Sequence, residues 1–127
     1  MSTIKTTTLS TLDGTATVPV NTVVNGSAKA WVNFNGTGTV AIRASFNVTS
    51  ITDNGTGDYT VNFTVAMVDA NYAIAGFSNF AANTAPASAL SAGSDFAPST
   101  SSCRVKSSNT TSGGTQDAPY VCVAIFR

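Results

Sequence analysis

Apolar and polar residues alternate along most of this chain, and the cleanest instance is YTVNFTVAM. There Tyr59, Val61, Phe63, Val65 and Met67 take every second place, between Thr60, Asn62, Thr64 and Ala66. A period of two puts all the large apolar side chains on one face, the mark of a half-buried strand. SFNVTSIT precedes it with Phe46 and Val48 in the same rhythm, and DNGTGD lies between the two runs. Asn54, Gly55 and Gly57 accept the positive φ angles of tight hairpins. Folding about Gly55–Thr56 sets Phe46 opposite Val65, Val48 opposite Phe63 and Thr52 opposite Tyr59, with the partners on one face as an antiparallel register requires. This predicts a hairpin over 46–67.

KAWVNF and TVAIRAS flank NGTGT and predict a second hairpin over 28–45. Folding about Thr37 pairs Phe34 with Val40, Val32 with Ile42 and Ala30 with Ala44 on the core face. On the reverse face Trp31 falls opposite Arg43. A guanidinium over an indole is a cation–π contact worth ~0.5–1 kcal/mol at an exposed site. Trp31 and Arg43 are therefore expected to be a cross-strand stacking pair, covered by another layer of the domain or by a neighbouring subunit. The competing reading makes Trp31 a ligand-contacting aromatic.

Farther on, NYAIAGF places Tyr72, Ile74 and Gly76 in alternation and predicts a third long strand. Residues 81–101 mix small residues with Pro86 and Pro98 and read as loop or short irregular strands, with a weak helical alternative through Ala85–Leu90. CRVKS and PYVCVAIF, separated by SNTTSGGTQDA, predict a last hairpin over 102–126. Upstream, VNTVVNG predicts a turn or two of helix. Residues 1–24 read as a docking segment, partly extended or loose until something binds it, and 25–127 as a single β domain. The expected fold is all-β, a small antiparallel β-sandwich built from hairpins and trimeric.

Folding the last hairpin about Ser112–Gly113 brings Cys103 opposite Cys122. Facing residues on antiparallel strands lie about 4.5–5.5 Å apart between Cα atoms, within reach of a disulfide. Such a bridge stabilises by ~3 kcal/mol on the chain-entropy model. Reduced core thiols are the alternative that a cytoplasmic origin favours, and the residues leave both open.

Composition changes the picture mainly by what it removes. Hydrophobic residues make up 43 % of the 127 residues and charged ones 9 %, with six Lys and Arg balancing six acids, all of them Asp. A neutral, Ser-, Thr- and Asn-rich surface gives no electrostatic reason to bind nucleic acid or a membrane, and low net charge favours association. The start, MSTIKTTTLSTLDGTATVPV, shows no long apolar segment of a secretory signal, and nothing approaches the ~18 apolar residues of a membrane helix. Synthesis in a cytoplasm is expected.

Catalytic chemistry finds little to work with. The chain has no His, hence no imidazole base for a Ser or Cys nucleophile, and no Glu. Asp53 and Asp58 flank the DNGTGD tip, where a calcium loop would need further acids; the plainer reading is Asp in a turn, bonded to its own backbone. GTG at the two tips is no phosphate loop, since no helix follows. Two cysteines alone do not make a zinc site. Asn47, Asn54 and Asn62 stand in Asn-x-Thr triplets that need no glycan to explain them. No enzyme activity, cofactor or metal is expected.

The stretch AKAWVNFNGTGTVAIRASFNVTSITDNGTGDYTVNF, which includes Trp31, Arg43, Asp53 and Asp58, resembles a segment of tail-fibre and related virion proteins of tailed bacteriophages. The opening MSTIK…TL followed by GSAKAWVNFNG resembles the start of small phage proteins carrying that segment. The resemblance covers residues 28 to about 80. It implies a β-structured, non-enzymatic virion component, a homotrimer at or near a fibre tip that meets the host. Because some 27 residues precede the segment here, the expectation is a short subunit docked on a tail, baseplate or capsid. Three functions follow as expectations: a short tail-fibre or baseplate-attached subunit in host attachment, a capsid decoration or stabilising protein, or a lectin-like module stacking Trp31 or a tyrosine on a sugar. The expected partners are copies of the chain itself, other virion proteins, and a host surface glycan or protein.

Overall fold

The computed structural model describes residues 2–79, 88–92, 97–110 and 113–127. In chain order the elements are β1 (Thr8–Ser10), β2 (Thr17–Pro19), α1 (Val20–Gly26), β3 (Ala28–Asn35), β4 (Ala41–Phe46), β5 (Val48–Gly55), β6 (Asp58–Phe63), β7 (Ala73–Asn79), β8 (Ser88–Ala92), β9 (Ser102–Asn109) and β10 (Tyr120–Phe126). Among the described residues, two four-stranded sheets form, ordered β4-β3-β10-β7 and β5-β6-β9-β8, and β1 pairs with β2 alone. Every pairing between these strands is antiparallel. The all-β expectation holds.

The alternation read from the sequence decides which side of each strand is buried. Ala30, Val32 and Phe34 of β3 and Val121, Val123 and Ile125 of β10 point inward from the first sheet. Tyr59, Val61 and Phe63 of β6 and Cys103 and Val105 of β9 meet them from the second. Burying each large apolar side chain contributes roughly 1.5–3 kcal/mol, so these central strands carry most of the stabilisation. Edge-on aromatic pairs tighten the packing: Phe34 and Tyr59 meet across the layers at 5.1 Å and 77°, and Phe63 meets Tyr72 at 5.8 Å and 76°. Deep in the core, the Ser107 hydroxyl donates to Ser78 Oγ at 2.9 Å, linking β9 to β7.

Several expected pairings change in the structure. The 46–67 hairpin forms over a shorter span, β5 with β6, and keeps Val48 opposite Phe63. Irregularities near Ser50 and Asn54 then set Thr52 opposite Thr60 and Asp53 opposite Tyr59. Strand β6 stops at Phe63, leaving Val65 66 % exposed while Met67 returns to the core. Phe46 and Val48 do not share a strand: Asn47 adopts φ +54 between them. Its side chain holds that corner, Nδ2 donating to the Lys29 and Val65 carbonyls and Oδ1 accepting the Val65 N–H at 2.7 Å. The left-handed residue sends β4 into one sheet and β5 into the other.

The hairpin expected over 102–126 does not form. Strand β9 lies between β6 and β8, and β10 between β3 and β7. Alternation fixes which face of a strand is buried but leaves its neighbour open, and here the chain crosses between layers. The segment expected to be loop-rich, 81–101, falls partly outside the described residues, Ala85 to Ala87 included; within it Ser88–Ala92 is an edge strand, so the helical alternative fails at its C-terminal end. The helix expected at VNTVVNG is present as α1. Residues 8–19 form a small hairpin whose turn is shaped by Asp13, which accepts from the Thr11 and Thr15 hydroxyls at 2.6 and 2.8 Å.

Candidate functional site

The two outward faces of the sandwich differ in chemistry. On β5, β6 and β9 of the β5-β6-β9-β8 sheet the outward residues are mostly polar and bonded to one another. Asn62 Nδ2 donates to Ser50 Oγ and Thr52 Oγ1 at 3.1 and 3.0 Å, and Asn54 Nδ2 to Thr60 Oγ1 at 2.9 Å. Arg104 clamps Asp58 through Nε and Nη2 at 2.6 and 2.7 Å, with Lys106 3.9 Å away. These hydrogen bonds, chiefly Arg104's, hold the Asp58 carboxyl below the usual carboxylate range. Asp53 is a turn residue as expected, its Oδ1 accepting the Gly55 N–H at 2.9 Å. Asp58 is instead an ion-pair partner, so the two acids of the DNGTGD tip are separately engaged.

The outward face of β4-β3-β10-β7 is apolar. One row across it reads Phe46, Trp31, Ala124, Ala75, and the next reads Ala44, Asn33, Cys122, Phe77. Trp31 is 41 % exposed, Phe46 55 % and Phe77 57 %. Between Trp31 and Phe77 runs an open groove of about 380 Å³, floored by Ala75, Gly76 and Ala124 and walled by Trp31, Phe77 and Phe126. It offers hydrophobic contact area and almost no polar lining.

The expected Trp31–Arg43 pair is not what the structure brings together. A bulge lies between Asn33 and Phe34, so that Asn33 faces Ala44 while Phe34 faces Ile42, and Arg43 is the extra residue. Phe34 opposite Ile42 instead of Val40 is already a slip of two, and the bulge adds one more, so Trp31 lies opposite Phe46; Ile42, expected in the core, is 36 % exposed on edge strand β4. Arg43 still finds an aromatic. Its guanidinium lies 4.3 Å over the Tyr120 ring, and Nη1 reaches Asn33 Oδ1 at 3.4 Å. The orientation of Trp31, away from the core, is as expected.

Cys103 and Cys122 are not brought together either. Cys103 pairs with Val61 and faces the core at 2 % exposure; Cys122 sits between Asn33 and Phe77 on the outer face of the opposite sheet. Both are free thiols. Burial pushes the Cys103 thiol up to about 12, and it also raises Cys122, against a smaller opposing pull from Arg43. Neither is poised as a nucleophile at neutral pH.

A buried latch fixes the loops at one end of the sandwich. Tyr59 Oη lies 2.8 Å from the Gly36 carbonyl and 3.0 Å from Asp117 Oδ1, which also accepts the Gly57 N–H at 2.7 Å. The Gly36 N–H donates to the Ala118 carbonyl at 2.9 Å. Burial, and then Asp117, raise the Tyr59 phenol, keeping it protonated and able to donate. The two GTG tips thus serve as joints: a Cβ on Gly36 would stand 2.4 Å from Tyr59 Oη.

Phe46, Phe77 and Tyr120 are surface residues that the alternation does not mark as such. A signal for Tyr120 was present in YVCVAIF, whose alternate positions Tyr120, Cys122, Ala124 and Phe126 are as apolar as Val121, Val123 and Ile125. A strand apolar on both sides asks for cover on both sides. Comparison of the chain with protein-family models, with curated proteins and with solved structures gives no match.

Proposed function

We propose that this chain is a structural, non-enzymatic protein of a bacteriophage virion, a short tail-fibre or baseplate-attached subunit engaged in host attachment. The observation that carries the reading is the asymmetry of the sandwich. One sheet turns a bonded Thr, Asn and Ser ladder outward; the other turns out Trp31 and Phe77 around an apolar groove, with Phe46 exposed beside Trp31. Exposed apolar patches rimmed by polar residues mark surfaces that meet other proteins. A subunit that packs by one face and meets solvent or a host surface by the other has this distribution. The likeness of residues 28 to about 80 to tail-fibre segments supports the same reading.

The groove also bears on the lectin-like alternative. A sugar site needs convergent donors and acceptors beside its aromatic, and Asn33, the polar side chain lining the groove, is already engaged by Arg43. Immunogold labelling of purified virions tests the proposal: label on tails or baseplates is the expected result, label on heads selects a capsid decoration protein instead, and absence from the particle refutes a virion role. A glycan-array hit abolished by Trp31→Ala would select the lectin reading.

A further inference from the structure

Two apolar surfaces of this chain lie uncovered, and the larger holds about half the area of an interface. The first is the groove face. An aromatic side chain buries roughly 150–250 Å² when fully covered, so Trp31, Phe46, Phe77 and Tyr120, each about half exposed, hold on the order of 300–500 Å² of coverable area. A stable interface takes about 800 Å² from each partner. The second surface is the N-terminal arm. No residue of β1, β2 or α1 is buried, so Leu12 stands fully exposed and Leu9, Val23 and Val24 about half exposed. Leu9 faces Val18 across the hairpin, which places both on one side of it.

A hairpin of two three-residue strands is too short to be stable without something to pack on. Its turn is nonetheless well made: Asp13 gathers Thr11 and Thr15, and Gly14 takes φ +71. Such an element has a defined shape and lacks a surface to rest on. The arm's own sheet is not that surface here. Lys29 Nζ fastens the arm to the start of β3 through the carbonyls of Val24 and Ser27, and with the arm in this position the groove stands open. The small-residue floor and aromatic walls form a slot for branched aliphatic side chains, and Leu9, Val18 and Leu12 are of that kind.

We infer that the N-terminal hairpin of one copy seats in the aromatic-walled groove of a second copy, Leu9 and Val18 inward, so that each chain donates an arm and receives one. The inference rests on the assembly-subunit reading above and specifies its contact. It pairs the two surfaces, bringing the coverable area per chain to the scale a lasting association needs.

The test uses the full chain in two single variants at exposed positions, Phe77→Asp in the groove wall and Leu9→Asp on the arm, with circular dichroism to verify that each keeps its strand signal. Sedimentation at micromolar concentration should show wild type as an oligomer and each variant alone as smaller. Mixing the two variants should restore a complex, since one retains a working arm and the other a working groove. Cys122 lines the groove and reports occupancy where the groove itself is unaltered: its maleimide labelling should be about tenfold faster in Leu9→Asp than in wild type, with Cys103 silent as the folded-state control. Four results overturn the inference: a monomeric wild type with Cys122 open, a monomer with Cys122 protected (its own arm fills the groove), an oligomer that Leu9→Asp leaves intact, and variants that do not complement. Any of these in a protein still found on virions spares the virion reading, whereas complementing variants of a protein absent from virions would sink that reading alone.

Discussion

Removing one oxygen from the core tests the latch that joins the two glycine tips. Tyr59 is wholly buried, and its hydroxyl is shared between the Gly36 carbonyl at 2.8 Å and Asp117 Oδ1 at 3.0 Å. In Tyr59→Phe the ring keeps its edge contact with Phe34, so little packing is lost. What goes is a hydrogen-bond donor beside a carboxylate, and bonds to charged groups contribute about 1.5–3 kcal/mol. Asp117 retains the Gly57 N–H, but the Gly36 carbonyl loses its phenol partner. A net loss of about 2–3 kcal/mol follows, and with a urea dependence of roughly 1–3 kcal/mol per molar the unfolding midpoint should fall by about 1–2 M. Tyr72→Phe is the matched control. Its hydroxyl lies 2.9 Å from the Ser99 and Ser102 carbonyls, both neutral acceptors, so its loss should cost about 1 kcal/mol. Equilibrium urea unfolding followed by tryptophan fluorescence compares the two variants. Equal costs, or a Tyr59→Phe loss below about 0.5 kcal/mol, would refute the idea that a charge-assisted latch holds this end together.

Gly57→Ala should be harsher, because at φ +64 its new Cβ would lie 2.5 Å from the Gln116 nitrogen and the Ser107 carbonyl oxygen, backbone atoms that have little room to yield. A cost of about 3 kcal/mol or more is expected, measured as a lowered urea midpoint or loss of soluble protein. Acid titration checks the Asp58–Arg104 clamp: a carboxyl held below its ordinary 3.8 in the fold stabilises above that pH, and the contribution disappears as pH falls through the lowered value. The melting-temperature gap between wild type and Asp58→Asn should therefore be flat near neutrality and close on acidification; a gap that widens in acid contradicts the assignment. For the cysteines, mass spectrometry after alkylation in denaturant should count both thiols in aerobically purified protein, and a Cys103–Cys122 disulfide there would mean the strands are paired otherwise.

What the sequence revealed and what it concealed divide along a physical line. Burial faces were legible because a strand carries its own record of them: Ala30, Val32, Phe34, Tyr59, Val61 and Phe63 are inside, and Trp31 is outside, by alternation alone. Pairing was legible only where a short tip joins two strands, as at Val48 and Phe63. It failed where the count is broken. At the 28–45 tip the register slips by two, setting Phe34 opposite Ile42 instead of Val40, and the bulge at Arg43 adds a third place that brings Phe46 opposite Trp31; Asn47 in the left-handed region sends Phe46 and Val48 to different sheets. Neither residue type announces such a role, since Asn in a left-handed corner is one of several ways to use Asn in a β-rich chain. Strand β10 shows what remained readable beyond that limit. Both of its sides are apolar, and the fold covers one side only, with β6 and β9 across the core. The proposed seating of a second copy's arm would cover the other side. On that proposal the apolar outer side of YVCVAIF specifies a contact in the same period-two pattern that specified the core.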